Sequence, residues 1–269
     1  MRQAVKSLAR AAGLERRHIE AARMYAERRA LAFAHKRRDR EVGRILCYHS
    51  VGQPVMGVND VSPKRFARQI ELALELGYHF VAPAEIAAGR GGPKALAVSF
   101  DDALKSVLAV AHPVLRAHRI PYSVFIVSEW SDGNHAWEPE RFLSWAELET
   151  LKADGVELGS HSATHRDFGR IDAAYAKREL EASRAAIEAR LGFAPTTFAI
   201  PFGQSMNWTP AAHDAARACG YTTIYAQAED TRPPGTIART FVTHFDDPMI
   251  FRALLGGAFD SWEEWVWSY

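Results

Sequence analysis

From residue 44 onward, short runs of β-branched and aromatic residues alternate with longer stretches of helical periodicity. That alternation predicts βα units packed around a mainly parallel sheet. RILCYHSV (44–51) reads as the first strand. SPKRFARQIELALELG (62–77) reads as a helix with Ser62 as N-cap, Pro63 at the first helical position and Gly77 as its stop. ALAVSF (95–100) and YSVFIV (122–127) are apolar on both faces, as strands covered on two sides must be, and a helix is expected over about 103–118 between them. A capped helix over 144–155, a strand over 155–160, a long helix over 173–191, a strand over 196–200, a helix near 209–218 and a strand over 221–226 continue the rhythm.

Roughly seven βα steps in about 220 residues fit a closed or partly closed parallel barrel, with a doubly wound open sheet as the alternative. In either case the chemistry is expected at the C-terminal ends of the strands. Residues 1–41 have a different texture, rich in Ala, Arg and Glu with no proline, and predict a helical extension to a body spanning 42–269.

Charge separates the same two regions. The arm holds 12 Lys or Arg against 5 Asp or Glu, about +7, so the body must carry about −6 to reach the whole-chain value of +1. A basic helix of this kind either touches an anionic membrane or packs as a solvated helix on the body. It carries none of the candidate catalytic groups and is expected to be dispensable for chemistry. The acidic body and the lack of a nucleic-acid motif argue against nucleic acid as a partner. Only two cysteines are present, Cys47 and Cys219, far apart and outside any C-x-x-C pattern, so neither a disulfide framework nor a thiolate metal site is expected. With no unbroken apolar run at the start, the expectation is a cytoplasmic protein, peripheral at the inner membrane face if the arm docks there.

Three constellations sit at predicted strand ends. Asp101 and Asp102 follow the apolar strand 95–100; an aspartate there could equally cap the next helix. His161 and His165 follow the strand 155–160 in the run HSATH, one helical turn apart, and could face one metal ion. Two imidazoles and one carboxylate would leave coordination positions open for water and substrate. FAIPFG (198–203) ends a strand in a Pro201-Phe202-Gly203 turn, which could present a backbone N–H or simply terminate the strand.

In order and spacing, SFDD, HSATH and FAIPFG resemble the first three motifs of the polysaccharide deacetylase (NodB-like) family, carbohydrate esterase family four. The likeness extends to ILCYHSVG and VSPKRFARQIELALELGYHFVA and covers roughly residues 44–245. The resemblance implies a distorted (β/α)7 barrel and hydrolysis of the acetyl group from an N-acetylated saccharide. It assigns Asp101 as general base and Asp102, His161 and His165 as ligands of a divalent ion, Zn2+ or else Co2+, Ni2+, Mn2+ or Fe2+. The Pro201-Phe202-Gly203 turn would offer an oxyanion donor. Two departures stand out. Ala199 occupies the position where many members carry an arginine that holds the base, and no Asp-x-x-Asp-Trp motif follows. His244, in Val242-Thr243-His244, is the candidate general acid. Aromatic platforms such as Trp137, Trp145 or Trp208 beside the metal would favour a sugar ring. The competing expectations are a hydrolase of a non-sugar amide or imide and a catalytically idle carbohydrate-binding homologue.

Overall fold

The computed structural model of the 269-residue chain describes residues 16–38, 40–134 and 138–263. Ten strands and nine α-helices follow one another among these residues. The strands are β1 (Arg44–Tyr48), β2 (Ser50–Val51), β3 (Asp60–Val61), β4 (His79–Phe80), β5 (Ala95–Phe100), β6 (Tyr122–Ile126), β7 (Glu157–Ser160), β8 (Thr197–Ala199), β9 (Thr223–Gln227) and β10 (Ile237–Phe241). The helices are α1 (Arg16–Ala34), α2 (Pro63–Glu75), α3 (Pro83–Ala87), α4 (His112–Ala117), α5 (Ser128–Ser131), α6 (Trp145–Ala153), α7 (Ala173–Leu191), α8 (Pro210–Ala218) and α9 (Pro248–Leu255).

Seven of the strands close a parallel barrel in the order β1-β10-β9-β8-β7-β6-β5, with β5 returning to β1; β4 adds to the outer side of β5. The closing β1–β5 ladder is long, running from Arg44↔Leu96 to Tyr48↔Phe100. By contrast, β7 and β8 share one registered pair, Ser160↔Phe198, and β1 and β10 share two. Uneven ladders distort the barrel, and the ends of the loosely paired strands are free to be shaped by their loops.

The predicted caps operate as expected. Ser62 accepts from the Arg65 amide, and Ser144 with Glu147 completes a capping box at α6. One element starts later than expected: after a tight turn, residues 105–117 are helical without a break, with a π-helical stretch, Val107–Ala111, ahead of α4. The reason lies at the turn, where Asp102 and Ala103 have positive φ (68° and 52°) and cannot continue a helix.

The described part of the basic arm lies on the body. Met24, Arg28 and Ala32, four residues apart, are its buried stripe. Arg28 is fully buried: its Nε and Nη2 donate to Asp246 Oδ1 and Oδ2 at 2.7 and 2.6 Å, and its guanidinium lies 4.0 Å from the Phe259 ring centre. Ile19 and Phe33 point outward. Residues 1–15 lie outside the described part of the chain. No helix among the described residues is long and apolar enough to cross a membrane.

Packing inside the barrel is tight at Gly159 of β7, where an added Cβ would lie 2.5 Å from Thr197 Oγ1 and 2.6 Å from Phe125 Cε1. Gly159→Ala is therefore expected to destabilise the fold by about 1–3 kcal/mol through overpacking and to lower the melting temperature by about 2–10 °C. Thermal unfolding checks this, and an unchanged midpoint would mean that β7 and β8 part freely.

Candidate active site at the C-terminal ends of the barrel strands

Each polar group of the site follows a strand or points inward from one. Asp101 and Asp102 come directly after β5, His161 and His165 after β7, Phe202 after β8 and His49 after β1, while Arg239 lies within β10. Among the described residues, seven non-glycine positions have positive φ, and five of them are Asp102, Ala103, Ser162, His165 and Phe202. Such conformations cost free energy and persist only where surrounding bonds enforce them.

Those bonds are visible in the His161–His165 loop. Its residues do not form a helical turn, contrary to the spacing argument; the loop curls because Ser162 Oγ accepts from the His165 amide at 2.9 Å. Buried Glu179 of α7 accepts from the Thr164 amide (2.9 Å) and hydroxyl (2.7 Å). Two further amides, of Ser128 and Glu129, donate to the carbonyls of Ser162 and Ala163. The two imidazoles are thereby brought to 4.8 Å between ring centres.

Asp102, His161 and His165 offer ligand atoms that all lie within 4.8 Å of one another. Nε2 of His161 and of His165 are 3.7 and 3.6 Å from Asp102 Oδ1, close to the ~3.3 Å separating two ligands that bind one tetrahedral ion at ~2.0–2.1 Å. His161 Nδ1–H donates to the Ala199 carbonyl at 2.8 Å, which fixes the tautomer and leaves the Nε2 lone pair facing Asp102. Burial pushes both imidazoles below their ordinary range, so they are neutral donors. Asp102 Oδ1 is buried without a hydrogen-bond partner, and burial, reinforced by the charge of Asp101, pushes this carboxyl up to about 8. An orphaned carboxylate between two neutral imidazole nitrogens is a donor set suited to a divalent cation.

Asp101 has a protein partner instead. Arg239 Nη1 and Nη2 donate to its Oδ1 and Oδ2 at 2.6 and 2.8 Å, and Cys47 Sγ donates at 3.4 Å. Burial alone would raise this carboxyl; the charge of Arg239 and its guanidinium hydrogen bonds hold it well below the usual carboxylate range. Arg239 occupies the role left open by Ala199, reaching the aspartate from a different strand. The sequence signal is an arginine inside the run IARTF, a strand outside the elements assigned from the pattern.

Asp101, Asp102 and His165 open into one cavity of about 510 Å³, lined also by His49, Phe202, Gln227, Phe241 and Trp262. His49 packs edge-on against Phe241 at 5.4 Å between ring centres, and its Nδ1 is buried without a partner. It follows an apolar strand directly, the same signal that singled out Asp101. Pro201 is buried, Phe202 is half exposed with its ring 4.7 Å from His165, and an added Cβ on Gly203 would come within 2.7 Å of Gln227.

Two expectations are corrected by position. His244 does not reach this cavity; its amide donates to the Val58 carbonyl, and its side chain lines a separate pocket with Asp60 and Arg65, because the chain turns outward after β10. Trp145 is tied to Asp132 by its indole N–H, and Trp208 is buried against Phe168 and Phe198, so neither forms a platform at the cavity. Trp137 lies outside the described residues.

Fold and site together define a NodB-like (β/α)7 barrel with a carboxylate–imidazole centre at its C-terminal mouth. The chain belongs to the polysaccharide deacetylase family, whose sequence profile, described as polysaccharide deacetylase, matches residues 88–224, just over half of the chain. Among solved structures, IcaB from Ammonifex degensii is 25% identical and superposes with a TM-score of 0.67 over 81% of this chain and 98% of that one. The Streptococcus pyogenes deacetylase PplD, solved with acetate, is 17% identical with a TM-score of 0.67 over 81% and 99%. BC0361, a polysaccharide deacetylase from Bacillus cereus, is 20% identical with a TM-score of 0.65 over 81% and 69%. No curated protein sequence matches the chain.

The Asp101–Arg239 pair generates a stability prediction. A carboxylate whose folded pKa is depressed stabilises the fold above its unfolded value of about 3.9, and that contribution is lost as pH falls toward the folded value. Arg239→Ala, which strands a buried charge, is expected to cost about 3–5 kcal/mol near neutral pH. The deficit should shrink from about pH 4 downward. Urea unfolding at pH 7 and pH 3 measures it.

Proposed function

We propose that the chain is a divalent-metal-dependent hydrolase that removes the acetyl group from an N-acetylated saccharide. The observation that carries this reading is the pairing of two adjacent buried carboxylates with different partners. Arg239 neutralises Asp101, whereas Asp102 meets only two neutral imidazoles.

Asp102, His161 and His165 would hold the ion, with Zn2+ the best match to two imidazoles and a carboxylate and Fe2+, Co2+, Ni2+ or Mn2+ also suited to that set. When bound, such an ion supplies Lewis acidity for the acetamide carbonyl and for water near neutral pH. Asp101 takes the proton from the attacking water, and Arg239 keeps that carboxylate ionised and oriented beforehand. The Phe202 N–H is the protein's donor to the oxygen on which negative charge builds. His49 gives a proton to the nitrogen as the C–N bond breaks, releasing acetate and a free amine. His49 takes this role in place of His244 because its unpartnered Nδ1 belongs to the same cavity as Asp101. Burial pushes its imidazole down to about 4, so His49 is neutral in the free site and the proton it delivers is the one Asp101 removes from water during the reaction. The wholly intact set of ionisable groups weighs against an idle homologue, and the charged and amide side chains in the cavity wall, Arg23, Glu27, Gln204 and Gln227, weigh toward a hydroxyl-rich substrate over an apolar amide or imide.

Acetate release from N-acetylated saccharides, measured with and without added Zn2+ after chelation, tests the reaction class. Asp101→Asn should keep the metal and lower turnover by about 10²- to 10⁴-fold. Loss of bound metal from that variant would assign Asp101, and not Asp102, as the ligand.

His49→Ala should lower turnover of an N-acetyl amide by about 10²-fold, because an amine must be protonated to depart. Hydrolysis of a phenyl acetate ester, whose phenolate leaves without a proton, should change far less. Equal losses on both substrates would remove His49 from the acid role.

A further inference from the structure

The cavity that contains the candidate centre has a second wall, and the appended helix α1 builds it. Glu20, Arg23, Met24 and Glu27 line the cavity across from Asp101, Asp102 and His165. This placement is enforced from the helix's inner face. Besides its bidentate bond to Asp246, Arg28 donates to the Phe241 carbonyl at 3.2 Å and lies 5.0 Å from the Trp262 ring centre. Phe241 and Trp262 themselves face the cavity. Asp246 is locked in turn by the Thr243 amide and hydroxyl, at 2.9 and 3.0 Å. A fully buried arginine therefore couples the helix to the cavity floor, and displacing α1 would strand both charges at a cost far above that of releasing an exposed helix.

What the helix presents is a donor and an acceptor side by side. Arg23 Nε donates to Glu27 Oε1 at 2.6 Å, and both side chains remain about a third exposed, turned to the cavity. A guanidinium and a carboxylate are suited to the alternating acceptors and donors of sugar hydroxyls. The exposed apolar side chains at the rim, Phe202 and Met206, are suited to the C–H face of a pyranose ring.

We propose that α1 forms a glycan-binding subsite, in which Arg23 and Glu27 hold the sugar unit adjoining the one that loses its acetyl group. The substrate is then an oligosaccharide of at least two units, and the N-terminal extension is part of the substrate cleft. That revises the expectation that the extension is dispensable for chemistry. The proposal rests on the deacetylase reading for the reaction at the far end of the cleft, but the binding it describes is measurable without turnover.

Calorimetric titration of the full chain with an N-acetylhexosamine and with its oligomers of two to five units provides the test, alongside acetate release from the same sugars. The oligomers should bind more tightly than the monosaccharide. Arg23→Ala and Glu27→Ala should weaken oligomer binding about tenfold or more, the range of lost hydrogen bonds to charged groups. Binding of the monosaccharide and hydrolysis of phenyl acetate should fall far less than oligomer binding on either substitution. Both residues are partly exposed, so melting temperatures should stay near that of the unaltered chain. Oligomer affinity that matches the monosaccharide's, or that survives both substitutions, overturns the subsite. Absence of acetate release from every N-acetylated sugar, with oligomer binding still sensitive to Arg23 and Glu27, overturns the deacetylase reading and leaves the subsite standing.

Discussion

Two carboxylates in consecutive positions, Asp101 and Asp102, are both buried at the mouth of the barrel. Two negative charges so close together in a poorly solvated place cannot both stay ionised without compensation. Arg239 compensates one of them with a two-pronged guanidinium bond from β10, reaching past β1 to the end of β5. Nothing of positive charge among the described residues does the same for Asp102, which faces neutral His161 and His165. The asymmetry sets two roles: one aspartate is held ionised by the protein, and the other waits for a cation.

The barrel explains how that arrangement is held. Strong ladders such as β1–β5 fix the strand carrying the aspartate pair, whereas the meagre β7–β8 pairing lets the loop after β7 turn inward. His161 bridges that same seam by donating to the Ala199 carbonyl, so a residue that lost a side-chain role keeps a backbone one. The loop that carries the strained residues Ser162 and His165 is held by hydrogen bonds to α7, to β7 and to the turn beside α5. The cavity's other side depends on a different buried pair, Arg28–Asp246, which brings a helix from outside the barrel against its mouth.

Much of this was legible in the amino-acid order. Apolar runs such as ALAVSF and YSVFIV marked barrel strands because a parallel strand buried on both faces has no polar side to show. Ser62, Pro63 and Ser144 marked helix starts because their chemistry acts locally. Asp101, Asp102, His161 and His165 were visible because each directly follows such a strand. Arg239 is harder to see for a physical reason: its role arises from a contact between strands far apart in sequence. An arginine in a short strand reads as solvated until its partner is known. Helix α1 reads from the sequence as a basic helix that either docks on a membrane or packs solvated on the body, without a part in the chemistry. Its polar stripe looks ordinary until Arg28 is seen buried and Arg23 and Glu27 are seen facing the cavity. His244, assigned through the resemblance, and Trp145 and Trp208, offered as platforms, stand away from the cavity because the order of residues carries no information on the direction of the chain after β10 or on which aromatic rings are taken up elsewhere.

The central claim, that Asp102, His161 and His165 bind one divalent cation, is tested most directly by X-ray absorption spectroscopy of the chain loaded with Zn2+. One ion per chain is expected, with a first shell of nitrogen and oxygen only, at ~2.0–2.2 Å, and with the outer scattering of two imidazoles. A sulfur scatterer at ~2.3 Å, which would bring Cys47 to the metal, or the absence of stoichiometric binding, would contradict the account.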